Sequence, residues 1–222
     1  MIGRAVSRRQ RSRGQAMVEF ALVAPIFFLV LFAFVEFALI SASIGSFNFA
    51  AKEGARLGSL LGRTPPSGAS SFPGCPATDS TILTRIDQQV NGVVMAKLVK
   101  VEIYRSDPQG NMLSNTAGAL QEDVYDASTG SCTTVTWPPD SRIDSLIDAD
   151  YLGVRITYQY TYLTSFISGG LTGITLSALS VQRIEPAEYQ SHLVAPTPGT
   201  ALATQTAPSG EWRHKSRTGG GV

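Results

Sequence analysis

Histidine is almost missing from this chain. His192 and His214 are the only two in 222 residues, and both fall in the Pro-, Thr-, Ala-, Gly- and Ser-rich stretch that closes the sequence. No Ser-His-Asp or Cys-His arrangement can be held there by a scaffold, so a non-enzymatic protein is expected. Cysteine is as scarce: Cys75 and Cys132 lie far apart and form no CxxC, which removes the usual metal-site spacings. The Gly169-Gly170-Leu171-Thr172-Gly173 turn lacks the context of a phosphate loop. Asp140, Asp144, Asp148 and Asp150 do not follow the EF-hand spacing and read as a solvated face. No cofactor or metal is expected. Basic residues are unevenly spread, with Arg4, Arg8, Arg9, Arg11 and Arg13 taking five of the 18 and leaving 13 against 17 acidic residues after Gly14. That remainder has no basic patch interleaved with aromatics, which argues against a nucleic-acid partner.

Charge is also absent from Phe20 to Val35, between Glu19 and Glu36. From Ala16 to Ile40 the run is long enough to cross a bilayer, which takes about 20 mainly apolar residues. With the arginines held on the cytoplasmic side, the chain is expected to run N-in, C-out. Three readings compete. The stretch is an uncleaved signal anchor, or a secretory signal cut after the small residues Ser41-Ala42-Ser43, although an h-region covers only about 7–15 residues. In the third, cleavage after Gly14 creates an α-amino group on Gln15. That group would lie one helical turn before Glu19, whose carboxylate is costly at the edge of lipid without a partner.

The run Gly14-Gln15-Ala16-Met17-Val18-Glu19-Phe20 resembles the processing motif of type IVb prepilins, with glycine before the cut and glutamate five residues on. Arg13 to Pro25, then Val35-Glu36-Phe37, then Ala51-Lys52-Glu53-Gly54-Ala55-Arg56, are together similar to the TadE-like pseudopilins of the tight-adherence (Flp) pilus machinery. The resemblance covers about residues 8 to 62, and Val181 to Glu185 also looks like the end of that family's domain. Major Flp pilins have tyrosine after the glutamate and are very short. Phe20 and a large ectodomain therefore imply a minor component. The resemblance further implies a prepilin peptidase acting at Gly14-Gln15. The partners it implies are other pilin and pseudopilin subunits, the inner-membrane assembly platform and membrane lipid. Glu19, Phe20, Pro25 and Glu36 would then serve subunit packing. Glu36 also has a simpler reading, as a carboxylate reaching the headgroup region.

Residues 1–14 read as a polar leader that does not fold. Pro25 removes a helical hydrogen bond and is expected to kink the apolar helix. A continuous helix from Gln15 to Leu61 would reach about 70 Å. Ala38, Ala42, Ser46, Ala50, Gly54, Gly58 and Gly62 recur every fourth position along it. Such a ridge of small residues suits close helix packing in a bundle or filament core. Residues 63–80 read as a Pro/Gly linker. An α+β extracytoplasmic domain is expected over 81–185. Its helix covers Thr81 to Gln89, capped by Asp79 or Ser80. Its strands fall at Leu98 to Arg105, Thr133 to Trp137, Tyr151 to Tyr162 and Thr175 to Ile184, giving one helix on three or four antiparallel strands.

The segment from Asp107 to Pro139 otherwise looks long and unpatterned. The row Leu152, Val154, Ile156, Tyr158, Tyr160, Tyr162 reads as core packing, with a ligand-binding tyrosine face as the rival. Outside the cytoplasm a Cys75–Cys132 disulfide is favoured, adding about 2–4 kcal/mol, with two free thiols as the alternative. Residues 186–222 are expected to be disordered.

Taken together, these readings place a minor pseudopilin in the cytoplasmic membrane, acting in pilus assembly, adhesion and biofilm formation. The rivals are a signal-anchored ligand-binding domain and a secreted protein.

Overall fold

The computed structural model describes residues 8–65, 72–164 and 173–186, with side chains from Gly14 onward. The expected disordered tail beyond residue 186, part of the linker and the Gly169–Gly173 turn up to residue 172 lie outside the described residues.

Helix α1 runs from Arg8 to Leu61, a length of about 80 Å. It starts inside the segment expected to be an unfolded leader. Arginine and glutamine are good helix formers, and nothing in that stretch breaks a helix. The helix also runs on through Pro25. It stops at Gly62, whose φ of 52° is the left-handed conformation that glycine supplies, while the Gly62 N–H closes the last turn on the Gly58 carbonyl.

Two halves of α1 meet different surroundings. Large apolar side chains from Met17 to Phe37 are exposed. Beyond them Ser43, Phe47, Ala50, Ala51, Gly54, Ala55, Gly58 and Ser59 form a buried stripe at helical spacing. That stripe packs on the chain's own domain. Gly54 lies against Ile86 and Ile82 of helix α2 (Ala77–Val90), and Gly58 against Ile82 and Leu152. A Cβ at either glycine would come within about 3 Å of these side chains, which is why small residues are needed there. The expected ridge thus serves intramolecular packing in its outer part, whereas Ala38 and Ala42 remain exposed.

Helix α2 begins four residues earlier than expected. Asp79 and Ser80 are buried inside its first turns rather than capping it. The sheet has five antiparallel strands in the order β3-β2-β1-β4-β5. These are β1 (Ala96–Ser106), β2 (Glu122–Asp126), β3 (Ser131–Val135), β4 (Tyr151–Thr161) and β5 (Gly173–Arg183). A bulge at Val99 shifts the β1–β4 register, and beyond it Val101 to Tyr104 are buried in a row. Leu152, Val154, Ile156, Tyr158 and Tyr160 of β4 are all buried, and the Phe47 and Tyr158 rings stack at 3.8 Å. The tyrosine row is core and is not free to bind a ligand. Cys75 and Cys132 form a disulfide that ties the start of the domain to β3.

Strand β2 was hidden because its inward residue is a carboxylate. Asp123 is buried beside Asp79, and both face Arg142, which is 1% exposed. The Arg142 guanidinium donates to Asp79 at 2.5 Å and to Asp123 at 3.5 Å, and lies 4.8 Å over the Trp137 ring. The Trp137 backbone N–H donates to the other Asp123 oxygen at 2.9 Å. Two carboxylates and one cation balance only if one carboxylate is protonated. Burial first, and then the neighbouring Asp79, push Asp123 up to about 7.

The folded state therefore binds a proton that the unfolded chain releases near pH 4. This group's contribution to stability falls as pH rises from about 4 to about 7 and is flat above that range. Asp123→Asn keeps an acceptor for Trp137 and a donor toward Asp79. Thermal denaturation of the variant and the parent from pH 4 to 8 is expected to show the variant gaining on the parent as pH rises.

Candidate functional site

The residues assigned to processing and packing divide along α1. Gly14 has open space around it, and Gln15, Glu19 and Phe20 are all exposed. Four residues apart, Gln15 and Glu19 share a helix face, and the Gln15 side-chain amide donates to the Glu19 carboxylate at 3.1 Å. A carboxylate here can therefore be met from the same turn. Pro25 is exposed among aliphatic and phenyl side chains. By length and composition the helix can cross a membrane. Its most apolar stretch is almost wholly exposed.

Glu36 differs from both expectations for it. It neither reaches freely into a headgroup layer nor stands open to a neighbouring subunit, being only 3% exposed. Its carboxylate accepts from the Tyr160 hydroxyl at 2.8 Å, from the Leu163 N–H at 3.1 Å, and from the Thr164 N–H at 3.2 Å. The Thr164 hydroxyl adds a fourth donor at 3.3 Å. Burial, and secondly its bond to Glu36, push the Tyr160 phenol well above its ordinary value. Tyr160 was read from the sequence only as one of the β4 row, without this partner, and the Leu163-Thr164 turn was not singled out. They lie 124 to 128 residues from Glu36, and no local pattern links them.

Gly54 and Gly58 also belong to the domain's interior, as described above. Among the described residues no group of three or more His, Cys, Asp or Glu could hold a metal ion. Asp150 of the acidic run is buried, accepting from Arg105 at 2.8 Å and from the Ile143 N–H at 2.9 Å.

Helix α1 thus carries Glu19 on its exposed half and Glu36 at the junction with the half packed on the domain. Residues 14–56 match the family model described as TadE-like protein. No curated protein and no solved structure matches the chain. The TadE-like segment starts at Gly14 and takes in Glu19, Pro25, Glu36 and Gly54. It ends at Arg56, whose guanidinium reaches Glu53 at 3.4 Å. It thus covers the exposed half of α1 and most of the docked half, and stops short of the sheet.

Removing Glu36 would orphan two backbone N–H groups and a phenol. Glu36→Ala is expected to cost about 1–3 kcal/mol. Tyr160→Phe, which leaves the carboxylate its other donors, is expected to cost about 1 kcal/mol or less. Glu19→Ala should leave domain stability unchanged. Thermal melts of the three variants in detergent solution check this order.

Proposed function

We propose that this chain is a minor pseudopilin of the tight-adherence (Flp) pilus system, held in the cytoplasmic membrane by the exposed half of α1 until it is taken into a pilus. A prepilin peptidase on the cytoplasmic face cuts between Gly14 and Gln15, and the sheet domain lies outside. The single observation that carries this reading is the TadE-like match beginning at Gly14 on an exposed apolar helix. The new Gln15 amine then meets Glu19 of its own or a neighbouring helix. At low dielectric an unpaired carboxylate is expensive, and a pair fixes axial register. The free face from Met17 to Phe37 offers the packing surface, while the sheet domain serves attachment and biofilm formation.

The rival readings have less support. A ligand-binding anchor loses its tyrosine face to the core. Release after Ser43 would separate Glu36 from Tyr160 and cut the helix one turn before Phe47, although the folded domain uses residues on both sides of that point.

Mass spectrometry of the protein from membranes is expected to find a mature N-terminus at Gln15, N-methylated. A start near Met1 would return the anchor reading, and a start at Ile44 the secreted one. Glu19→Ala is expected to be cut normally but to impair pilus assembly, and full piliation in that variant would contradict the charge-pairing role.

A further inference from the structure

The bonds at Glu36 fix the height of one end of the domain along α1. Strand β4 runs antiparallel to the helix, so Leu152 sits at Gly58, Tyr158 at Phe47 and Tyr160 at Glu36. The end of β4 is tied in turn to the turn between α2 and β1, through the Thr161 N–H on the Met95 carbonyl at 2.7 Å. Met95 has a φ of 67°, which a long side chain adopts only where its surroundings dictate it. These two turns form one rim around α1.

From Glu19 the helix rises about 26 Å to reach Glu36, against a hydrocarbon thickness of about 30 Å. A span with Glu19 near one boundary therefore brings Glu36, and the rim bonded to it, to the other. The rim's exposed side chains are Val94, Leu163 and one polar group, Thr161. Val94 is 66% and Leu163 is 55% exposed, and no charged side chain occurs in 92–96 or 161–164. Between the rim and α1 opens a crevice of about 390 Å³ lined by Leu39, Ala42, Val93 and Val94, with Ser43, Ser46 and Gln89 as its polar side chains. Lys97, the first charge beyond the turn, is exposed.

We propose that this rim is a lipid-contact surface. Val94 and Leu163 enter the outer leaflet where α1 leaves it, the crevice takes up acyl chain, and the domain rests on the membrane. The partner is the bilayer itself, and the proposal rests on the membrane-inserted reading above. Apolar surface continuous with that of the spanning helix, at the level where lipid ends, is what selects lipid as the occupant.

The test uses the full chain carrying Trp212→Phe, which leaves buried Trp137 as a constant reference. Single tryptophans replace Val94, Leu163, Phe28 of the span, or Ile147, which is 86% exposed at the far end of the domain. Each protein is reconstituted in phosphatidylcholine–phosphatidylglycerol vesicles without bromine, with bromine on the acyl chains near the headgroups (to report on Val94, Leu163 and Ile147), or with bromine near the chain ends (to report on Phe28 at mid-span). The expected result is loss of the added emission for Val94→Trp, Leu163→Trp and Phe28→Trp, and none for Ile147→Trp. Quenching of Phe28→Trp alone would overturn the rim contact and leave the span standing. No quenching even of Phe28→Trp would overturn the span and the rim contact together. Quenching of Ile147→Trp as well would contradict the fixed orientation.

Discussion

A single buried carboxylate joins two environments in this protein. On one side of Glu36 the helix shows lipid-type side chains on every face, and on the other it is a core element of a sheet domain. A free carboxylate at that junction would be costly in either place. Four donors from the end of β4 and the turn after it make it tolerable, and they also fix where the domain sits along the helix. Small residues complete the arrangement, because Gly54 and Gly58 let α2 and β4 approach the helix backbone.

The consequence is a stiff coupling of span and domain. Twenty-odd residues of α1 cannot shift against the sheet without exposing Phe47 and the alanines around it and stranding the donors of Tyr160, Leu163 and Thr164. A chain built this way couples axial movement or rotation of its helix to its domain. The polar cluster of Asp79, Asp123 and Arg142 plays a comparable part deeper inside, joining α2 to β2 and the segment after β3 through charges that no solvent reaches. Removing Asp79 or Arg142 would leave an uncompensated buried charge, which is the expensive way to lose such a contact.

The sequence was most readable where one period ran unbroken. The apolar helix, β4 with its alternating row and β5 were all placed, because each has a single partner surface that imposes its spacing. Strand β2 was missed because its inward side chain is Asp123, whose burial is tolerated only through an arginine 19 residues further on. The start of α2 was placed late for the same reason, Asp79 being read as a cap although its partner is Arg142. In the candidate site, Gly14, Gln15 and Glu19 lie on the exposed half of α1, where Gln15 reaches Glu19 within one turn. Glu36 was misread because its partners come from the far end of the chain. The row of small residues was legible as a packing ridge, yet its periodicity carries no information on whether the opposing surface belongs to the same chain.

Hydrogen exchange followed by mass spectrometry, on the full chain in nanodiscs under rising denaturant, tests most directly whether the outer half of α1 is part of the domain. Amides of residues 47–59 are predicted to open together with those of β4 and α2 in one cooperative step. If residues 47–59 exchanged freely while β4 stayed protected, the helix would be a separate spine and the docked arrangement would be wrong.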